Sequence, residues 1–342
     1  MQRKDIKNFS LPALKKEITD LEEPVYRAEQ IFSWLYKKAA DDFDGMENLP
    51  KPLRDKLNLN YYIGGVKLFK HLKSKDGTEK FIFELYDGNL IETVLIKSKV
   101  RKTVCLSTQV GCKFGCAFCA SGLKKFVRNL SPSEIINQIL FLRFNFNHSI
   151  TNYVFMGMGE PLDNYENVVK AIKIMNDDKG IGAGSRKITI STCGLIEGIE
   201  KLSKLGMQVN LSVSLHAADD KLRNELVPAN KKHGLEKIIR ACEKFKDKTG
   251  REITLEYILI KDKNDSPEDA NELAEIAKRL NAKVNLIPYS FVQGFHFKPP
   301  VREEVEKFCN KLLSRKIKAT IRRSKGSDIQ AACGQLAGKY RK

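Results

Sequence analysis

The sequence contains no uninterrupted apolar run that approaches the ~20 residues of a membrane-spanning helix. Its beginning, Met1 to Ser10, also lacks the apolar stretch of a secretory signal. Low-complexity segments and sequence repeats are absent as well. These absences predict a cytoplasmic protein that does not associate with membranes.

Acidic residues are in deficit. The chain has 42 Asp and Glu against 60 Lys and Arg, a formal net charge of +18. This excess favours a polyanionic partner, and nucleic acid is the leading candidate. Composition alone leaves one alternative open, a basic protein whose Lys-rich surface is simply solvated.

Cysteine is more abundant than structure alone requires in a reducing compartment. Eight cysteines occur in the 342 residues. Because the cytoplasm keeps thiols reduced, they are not expected to form a static disulfide framework. They direct attention to metal binding and catalysis instead.

Three kinds of pattern follow one another along the chain. Residues 1–60 have apolar residues at helical spacing among many charged ones, which predicts a small helical domain. Residues 61–97 have short apolar runs separated by Asp-Gly pairs, which predict a β-rich connector with tight turns. Over residues 98–342, strand-like and helix-like runs alternate, which predicts an α/β fold with a parallel sheet. Six strand–helix units fit a partial (β/α)6 barrel better than a closed barrel of eight.

The alternation also predicts where functional side chains gather. The predicted strands are Thr103–Ser107, Thr151–Met156, Lys187–Ser191, Gln208–Leu215, Glu252–Ile260, Lys283–Ile287 and Ile317–Ile321. The predicted helices are Ser133–Phe144, Tyr165–Met175, Leu195–Leu205, Leu235–Lys246, Pro267–Leu280 and Arg302–Leu313. Active sites of such barrels lie at the carboxyl ends of the strands. Residues that directly follow a strand are therefore the site candidates.

The strongest local signal is a run of three cysteines, Cys112, Cys116 and Cys119. Three thiolates on one short loop can ligate three irons of a four-iron cluster and leave the fourth iron open to a small molecule. A zinc site that adds Cys105 or Cys333 as fourth ligand is the alternative. The spacing favours the cluster and leaves zinc open.

Two further motifs give the cysteines a context. Gly157 to Glu160 reads Gly-Met-Gly-Glu after the second predicted strand, and residues 326–338 read Gly-Ser-Asp-Ile-Gln-Ala-Ala-Cys-Gly-Gln-Leu-Ala-Gly. Together with the cysteine run after the first strand, these motifs closely resemble those of the RlmN/Cfr family of radical S-adenosylmethionine (SAM) RNA methyltransferases. The resemblance spans nearly the whole chain and implies a radical SAM barrel. Residues 109–111, Pro161 and residues 336–338 are more similar to the RlmN branch.

The resemblance implies a set of cofactor contacts. A [4Fe-4S] cluster is expected on Cys112, Cys116 and Cys119, with two SAM molecules consumed per turnover. The SAM contacts implied by the family motifs are Gly159, Glu160, Ser191, Ser214, Leu215, His216 and Ser290. Ser290 stands where the family has Asn, and the usual following Pro is absent. The shorter hydroxyl is therefore expected to reach SAM through water or not at all.

The resemblance also implies roles for two isolated cysteines. Carbon 2 of adenine has no lone pair or acidic proton, so direct polar methyl transfer from SAM does not reach it. In the family mechanism Cys333 accepts a methyl group from one SAM, and reductive cleavage of a second SAM activates that methyl group for addition to adenine. Cys105 then helps to remove the ring proton and releases the product through a transient disulfide with Cys333. Glu92 matches the family's acid/base carboxylate.

The implied substrates are RNAs. The resemblance predicts methylation of carbon 2 of an adenine at the peptidyl-transferase centre of 23S rRNA and of the adenine 3′ of the anticodon in tRNA, with the target base flipped out. Cfr-like methylation of carbon 8 of the same rRNA adenine is one alternative, and a non-catalytic zinc or iron–sulfur RNA-binding protein is another. A monomer served by an electron donor such as flavodoxin is expected. Basic runs at Lys124, Lys231, Arg322 and Lys339 are candidates for phosphate contacts.

Overall fold

The N-terminal part of the chain is mainly helical. The computed structural model describes residues 3–123, 125–292 and 294–336. Two short strands, β1 (Lys4–Asp5) and β2 (Tyr61–Tyr62), pair in parallel and close off helices α1 (Leu11–Asp20), α2 (Tyr26–Lys37) and α3 (Lys51–Asn60). The apolar residues of these helices recur at helical spacing and are buried. The predicted helical pattern is confirmed, while the bounds and role of a separate domain stay predictions.

A buried lysine fastens this helical part to the rest of the protein. The ammonium of Lys7 donates hydrogen bonds to the Gly64 carbonyl and to Oδ1 of Asn137, both at 2.9 Å. Burial lowers the pKa of Lys7 to about 8 even though Asp5 and Asp41 oppose that effect. The N-terminal helices are therefore anchored through a polar contact within the interior.

A ten-stranded sheet forms the centre of the described residues, in the order β14-β13-β12-β11-β10-β9-β6-β5-β4-β3. Its strands are β3 (Lys67–Lys73), β4 (Glu79–Glu84), β5 (Leu90–Lys97), β6 (Lys102–Cys105), β9 (Asn152–Phe155), β10 (Ile188–Thr192), β11 (Asn210–Ser214), β12 (Ile253–Leu259), β13 (Lys283–Pro288) and β14 (Ala319–Ile321). From β6 through β14 all neighbouring pairs are parallel. Every strand predicted beyond residue 98 is present in this parallel part.

Helices connect the parallel strands. They are α5 (Pro132–Phe144), α6 (Tyr165–Asn176), α7 (Ile196–Ser203), α8 (Asp220–Leu226), α9 (Leu235–Thr249), α10 (Pro267–Leu280) and α11 (Arg302–Ser314). Capping boxes begin α5 at Ser131 and α10 at Ser266. The six strand–helix units predicted from the sequence are confirmed, and α8 is an addition that the periodicity did not reveal. No helix within the described ranges is long and apolar enough to cross a membrane.

The segment 61–97 continues the same sheet. Strands β3, β4 and β5 are antiparallel neighbours, and β5 pairs antiparallel with β6, the first strand of the parallel part. The Asp-Gly turns predicted at Asp76 and Asp87 join these strands. The predicted strands are thus confirmed, and the fold joins them to the barrel sheet edge to edge.

Candidate active site

One cavity lies at the carboxyl ends of the parallel strands. It holds about 860 Å³ of atom-free space, part of it open to solvent. The sequence-predicted site residues that line it are Cys112, Cys116, Cys119, Gly159, Glu160, Ser191, Ser214, His216 and Cys333. The fold therefore gathers the expected cluster ligands, most expected SAM contacts and the expected methyl carrier around one space.

A small ribbon holds the cysteine loop. Strands β7 (Gln109–Val110) and β8 (Arg128–Asn129) pair antiparallel, so the chain between them leaves and returns at the same place. Gly115 has φ +62°, a left-handed conformation that favours glycine in the turn. The backbone N–H of Cys119 donates to the Cys116 carbonyl at 3.0 Å, just before the short helix α4 (Ala120–Leu123). The loop is closed at both ends and directs the cysteines into one cavity.

The three cysteines fit an iron–sulfur cluster electrostatically. Burial raises the pKa of Cys112 to about 11 and that of Cys119 above its usual value. Burial also raises the pKa of Cys116, and the neighbouring Cys119 and Cys112 raise it further. These thiols oppose one another's ionisation, and bound iron would supply the positive charge that three thiolates need.

Across residues 3–123, 125–292 and 294–336, no three His, Cys, Asp or Glu side chains are grouped so that they could hold one metal ion.

The Gly-Met-Gly-Glu motif forms the loop after β9, where close packing fixes its backbone. Gly159 has φ +95°, and a Cβ there would lie 2.5 Å from the Cβ of Gln109. The Glu160 carboxylate accepts hydrogen bonds from the backbone N–H groups of Leu162 at 3.0 Å and Cys193 at 2.8 Å. Burial raises the pKa of Glu160. The carboxylate thus joins the loop after β9 to the loop after β10 at the cavity wall.

Polar side chains after β10 and β11 face the same cavity. The hydroxyls of Ser191 and Ser214 are 3.3 Å apart. His216 has φ +64°, and its Nδ1 accepts a hydrogen bond from the backbone N–H of Ile258 at 3.0 Å. Burial lowers the pKa of His216 to about 3, so the ring is neutral and carries its proton on Nε2. Its ring meets that of Phe118 edge to face at 4.7 Å, next to the cysteine loop.

Arg223 of α8 organises these loops and was missed in the sequence. Its side chain is fully buried. It donates hydrogen bonds to the carbonyls of Cys193 at 2.7 Å, Leu215 at 3.0 Å and Ser214 at 3.2 Å, and to Oδ1 of Asn230 at 2.5 Å. Burial lowers its pKa by removing the guanidinium from water, while the neighbouring Cys193 and Cys116 oppose this effect. A single arginine in a short polar helix gives no local sign of this role.

The two isolated cysteines interact electrostatically with each other and with Arg322. Burial raises the pKa of Cys105 to about 12, with Cys333 adding to the rise and Arg322 opposing it. The Arg322 guanidinium lies 3.5 Å from the Met156 sulfur and 3.8 Å from a carboxylate oxygen of Glu256. Negative charge on Cys333 raises the pKa of Arg322. Arg322, predicted as a phosphate contact, also interacts electrostatically with both cysteines; its role toward phosphate stays a prediction.

Glu92 lies behind the cavity wall and does not line it. It is almost fully buried on β5, where its carboxylate contacts the Lys80 ammonium at 3.2 Å. Alternate residues of a strand share a face, and Val94 pairs with Cys105 across the sheet. Glu92 therefore shares the sheet face of Cys105.

Leu215, Ser290 and Cys105 also fall outside the residues that line the cavity. Leu215 acts through its backbone, since its N–H donates to the Glu256 carbonyl at 3.0 Å and its own carbonyl binds Arg223. Ser290 follows β13 and is half-buried. Lys124, the motif residues 337–338 and the basic run 339–342 lie outside the described residues.

Comparisons with known proteins match nearly the whole chain. Residues 106–277 match the model of the radical SAM superfamily, and residues 4–63 match that of the ribosomal RNA large subunit methyltransferase N-terminal domain. The probable dual-specificity RNA methyltransferase RlmN of Caldicellulosiruptor saccharolyticus is 46% identical over 335 residues, 98% of this chain and 97% of that one. The chain belongs to the RlmN family. An RlmN relative of the same description from Clostridium perfringens is 44% identical over 338 residues, with the same coverage.

A solved structure shows that the similarity holds for the fold as well as for the sequence. The crystal structure of a radical SAM methyltransferase from Sphaerobacter thermophilus matches with a TM-score of 0.93 and 40% identity, covering 98% of this chain and all of that chain. The resemblance to the RlmN/Cfr family is confirmed, and the chain is a radical SAM RNA methyltransferase. Membership of this superfamily implies a [4Fe-4S] cluster and SAM. The non-catalytic alternative is thereby set aside.

Proposed function

We propose that this RlmN-type enzyme methylates carbon 2 of an adenine at the peptidyl-transferase centre of 23S rRNA and of the adenine 3′ of the anticodon in tRNA. The methyl group would pass through Cys333. The observation that carries this proposal is that Cys333 lines the same cavity as Cys112, Cys116 and Cys119. A carrier residue has to meet both a methyl donor and a radical source, and one shared cavity permits this.

The three loop cysteines would hold the cluster, and the residues after β9 to β11 would hold SAM. When bound, cluster and SAM together supply the radical that activates a methyl group. Glu160 offers a buried carboxylate for a cationic amino group, while Ser191 and Ser214 offer hydroxyls 3.3 Å apart. Neutral His216 adds one N–H donor. Arg223 holds the backbone of two of these loops in place.

Cys105 would act after the carbon–carbon bond to adenine has formed. At that point the base is tethered through a methylene group to the Cys333 sulfur. The ring hydrogen leaves the methylated carbon as a proton, which Cys105 helps to remove, and an electron, which replaces the one spent on SAM cleavage. Formation of a Cys105–Cys333 disulfide breaks the carbon–sulfur bond, and the hydrogen from the Cys105 thiol completes the methyl group. Two electrons and two protons from an external donor, for which flavodoxin is a candidate, then restore both thiols. Arg322 acts to lower the pKa of the Cys105 thiol and so opposes the effect of burial there.

A trapping experiment tests the cysteine roles. Cys105→Ala should still accept a methyl group on Cys333 and add it to RNA, but cannot release the product. This variant should therefore accumulate a covalent protein–RNA species that survives denaturation, linked through Cys333 and one added carbon. Cys333→Ala should form none.

Cys242→Ala is the matched control, because that thiol is buried in α9 and does not line the cavity. It should behave like the natural protein. If Cys105→Ala retains its cluster and methylates Cys333 but traps no RNA, the role proposed for Cys105 is wrong. Buried thiols with a purely structural role would lower stability in all three variants and trap nothing.

The position of the new methyl group needs its own test. We propose carbon 2 because the relatives at 42–46% identity are described as RlmN. Adenine deuterated at carbon 2 should lose its label in the product, whereas a label at carbon 8 should remain. The reverse result would assign the Cfr-like reaction.

RNA binding is expected to depend strongly on salt. The net charge of +18 should displace counterions from phosphates, so affinity should fall steeply as salt rises. Residues 1–60 are proposed to grip RNA beyond the flipped adenine, in a monomeric enzyme of the cytoplasm. Replacing exposed lysines in α1 with uncharged residues should make the RNA affinity depend less steeply on salt. An unchanged slope would remove this segment from the RNA interface.

A further inference from the structure

The C-terminal segment that carries Cys333 is fastened to the sheet by polar contacts at a distance from the cysteine. We define residues 325–336 as the carrier segment. It contains little regular structure, only a short 3-10 turn at Ser327–Ile329. Its apolar contribution to the core comes from a few small side chains, the partly buried Ile329 and Leu336. Apolar burial alone therefore gives this segment little reason to stay in one position.

The turn between β3 and β4 exchanges hydrogen bonds with the carrier segment in both directions. The carboxylate of Asp328 accepts from the Ser74 hydroxyl at 2.6 Å and from the Lys75 N–H at 3.2 Å. In return, the carboxylate of Asp76 accepts from the Gly326 N–H at 2.9 Å. Each partner contributes one carboxylate, so the two segments are held in a single register.

Backbone conformation and charge both favour these hydrogen bonds between the β3–β4 turn and the carrier segment. Gly326 has φ +69°, and a Cβ there would lie 2.9 Å from the Thr78 side chain. Burial disfavours ionisation of Asp76, but hydrogen bonds from Thr78 and Gly326 outweigh it and lower its pKa to about 2. Hydrogen bonds from Ser74 and Lys75 lower the pKa of Asp328. Both carboxylates are therefore ionised at neutral pH, which strengthens each contact.

A buried lysine supports the segment closer to the cysteine. Gln330 has φ +54°, a conformation that most side chains avoid, and its carbonyl accepts from the Lys80 ammonium at 2.9 Å. Lys80 is 1% exposed and also contacts Glu92. The sheet therefore holds a fixed cation beneath the residue three positions before Cys333.

The cysteine loop secures the other end of the segment. The Gly334 carbonyl accepts from the Ala120 N–H at 2.7 Å, and the Leu336 carbonyl accepts from the Ser121 hydroxyl at 2.5 Å. Cys333 thus lies between two anchors, one on the β3–β4 turn and one on the expected cluster loop. Its location depends on both.

We propose that Ser74, Asp76, Lys80 and Asp328 are positioning residues that dock the carrier segment, so that Cys333 stays in the cavity between the cluster loop and Cys105. The inference rests on the proposed function only in naming Cys333 as the methyl carrier. The docking itself is a property of the fold. The antiparallel extension of the sheet thereby acquires a role in the reaction.

Hydrogen exchange tests the docking without using the reaction. In Asp328→Ala, amides of the peptide 325–336 should exchange about fivefold faster than in the natural protein, the size expected for losing one net hydrogen bond. Ser74→Ala should act in the same direction. The double variant should add little, because one substitution already breaks the shared contact. Asp177→Ala, which removes a carboxylate that accepts one backbone N–H at the end of α6, is the control and should leave this peptide unchanged.

The ratio of 5′-deoxyadenosine to methylated RNA distinguishes a loss of Cys333 positioning from a general loss of stability. Cluster-loaded Asp328→Ala should form more 5′-deoxyadenosine per methylated RNA than the natural enzyme, since the methyl carrier spends less time in the cavity. A merely destabilised protein would lose both products in proportion. Unchanged exchange in both Asp328→Ala and Ser74→Ala would overturn the docking role, whatever Cys333 does. Faster exchange without any methyl on Cys333 would uphold the docking and refute the proposed function.

Discussion

Replacement of Arg223 is the most demanding test of how the site is built. Its guanidinium donates to three backbone carbonyls at the ends of β10 and β11 and to the side chain of Asn230. Arg223→Met keeps an unbranched apolar stem and removes every donor. The carbonyls of the SAM-site loops would then be buried without this partner.

The magnitude follows from the number of acceptors left behind. Each buried acceptor without a partner costs roughly 1–3 kcal/mol, and relaxation lets some of them find new donors. We therefore expect Arg223→Met to lose about 3–6 kcal/mol of folding free energy, a large part of the ~5–15 kcal/mol available to a typical protein. Arg223→Lys should lose about half as much, because a single ammonium can keep the charge but not the forked geometry.

Urea unfolding of the purified variants, followed by circular dichroism, measures this loss. SAM binding to the folded Arg223→Lys protein should weaken as well, since the carbonyls of Ser214 and Cys193 lose their brace. Arg279→Lys is the control, because Arg279 bridges Glu236 and Glu243 on the exposed surface. If Arg223→Met had the same unfolding midpoint as the natural protein, the role of Arg223 in stabilising these loops would be refuted.

Three further predictions concern single positions at the cavity. Gly159→Ala should destabilise the protein and abolish SAM binding, because both φ +95° and the side chain of Gln109 oppose a Cβ. Gly182→Ala is the control, because Gly182 has φ +73° but open space around it, so this variant measures the cost of the backbone conformation alone. Equal losses of stability in the two variants would contradict the clash with Gln109. His216 binds a proton near pH 6.5 when unfolded but only near pH 3 when folded, so stability should fall as the pH drops below about 6.5, by about 1.4 kcal/mol at about pH 5.5. Urea unfolding above about pH 6.5 and at about pH 5.5 measures this loss of stability, which His216→Gln should lack. The same pH dependence in His216→Gln and in the natural protein would show that another group titrates. Ser290→Ala should change the SAM concentration for half-maximal RNA methylation less than about twofold, since a side chain outside the cavity contributes little transition-state binding; a tenfold increase would show that its hydroxyl does reach SAM.

Local sequence determined the elements and the chemistry of the site. The spacing of Cys112, Cys116 and Cys119 predicts a metal-binding loop without knowledge of the fold, because the three ligands are close in sequence. Hydrophobic periodicity specifies the parallel strands, and parallel strands end at one edge. Glu160 and Ser214 therefore reach the same cavity without any knowledge of side-chain packing. The family motifs then supplied the identity of the reaction.

Only the tertiary structure decided which polar residues are internal. Arg223 reads as an ordinary surface charge in the sequence, yet it braces the site loops. Arg322 reads as a phosphate contact, and in the structure it interacts electrostatically with the two isolated cysteines. Asp76 lies 250 residues from Gly326, with which it forms its hydrogen bond. Burial and long-range pairing depend on how the sheet brings distant segments together, and no local pattern of residues encodes that.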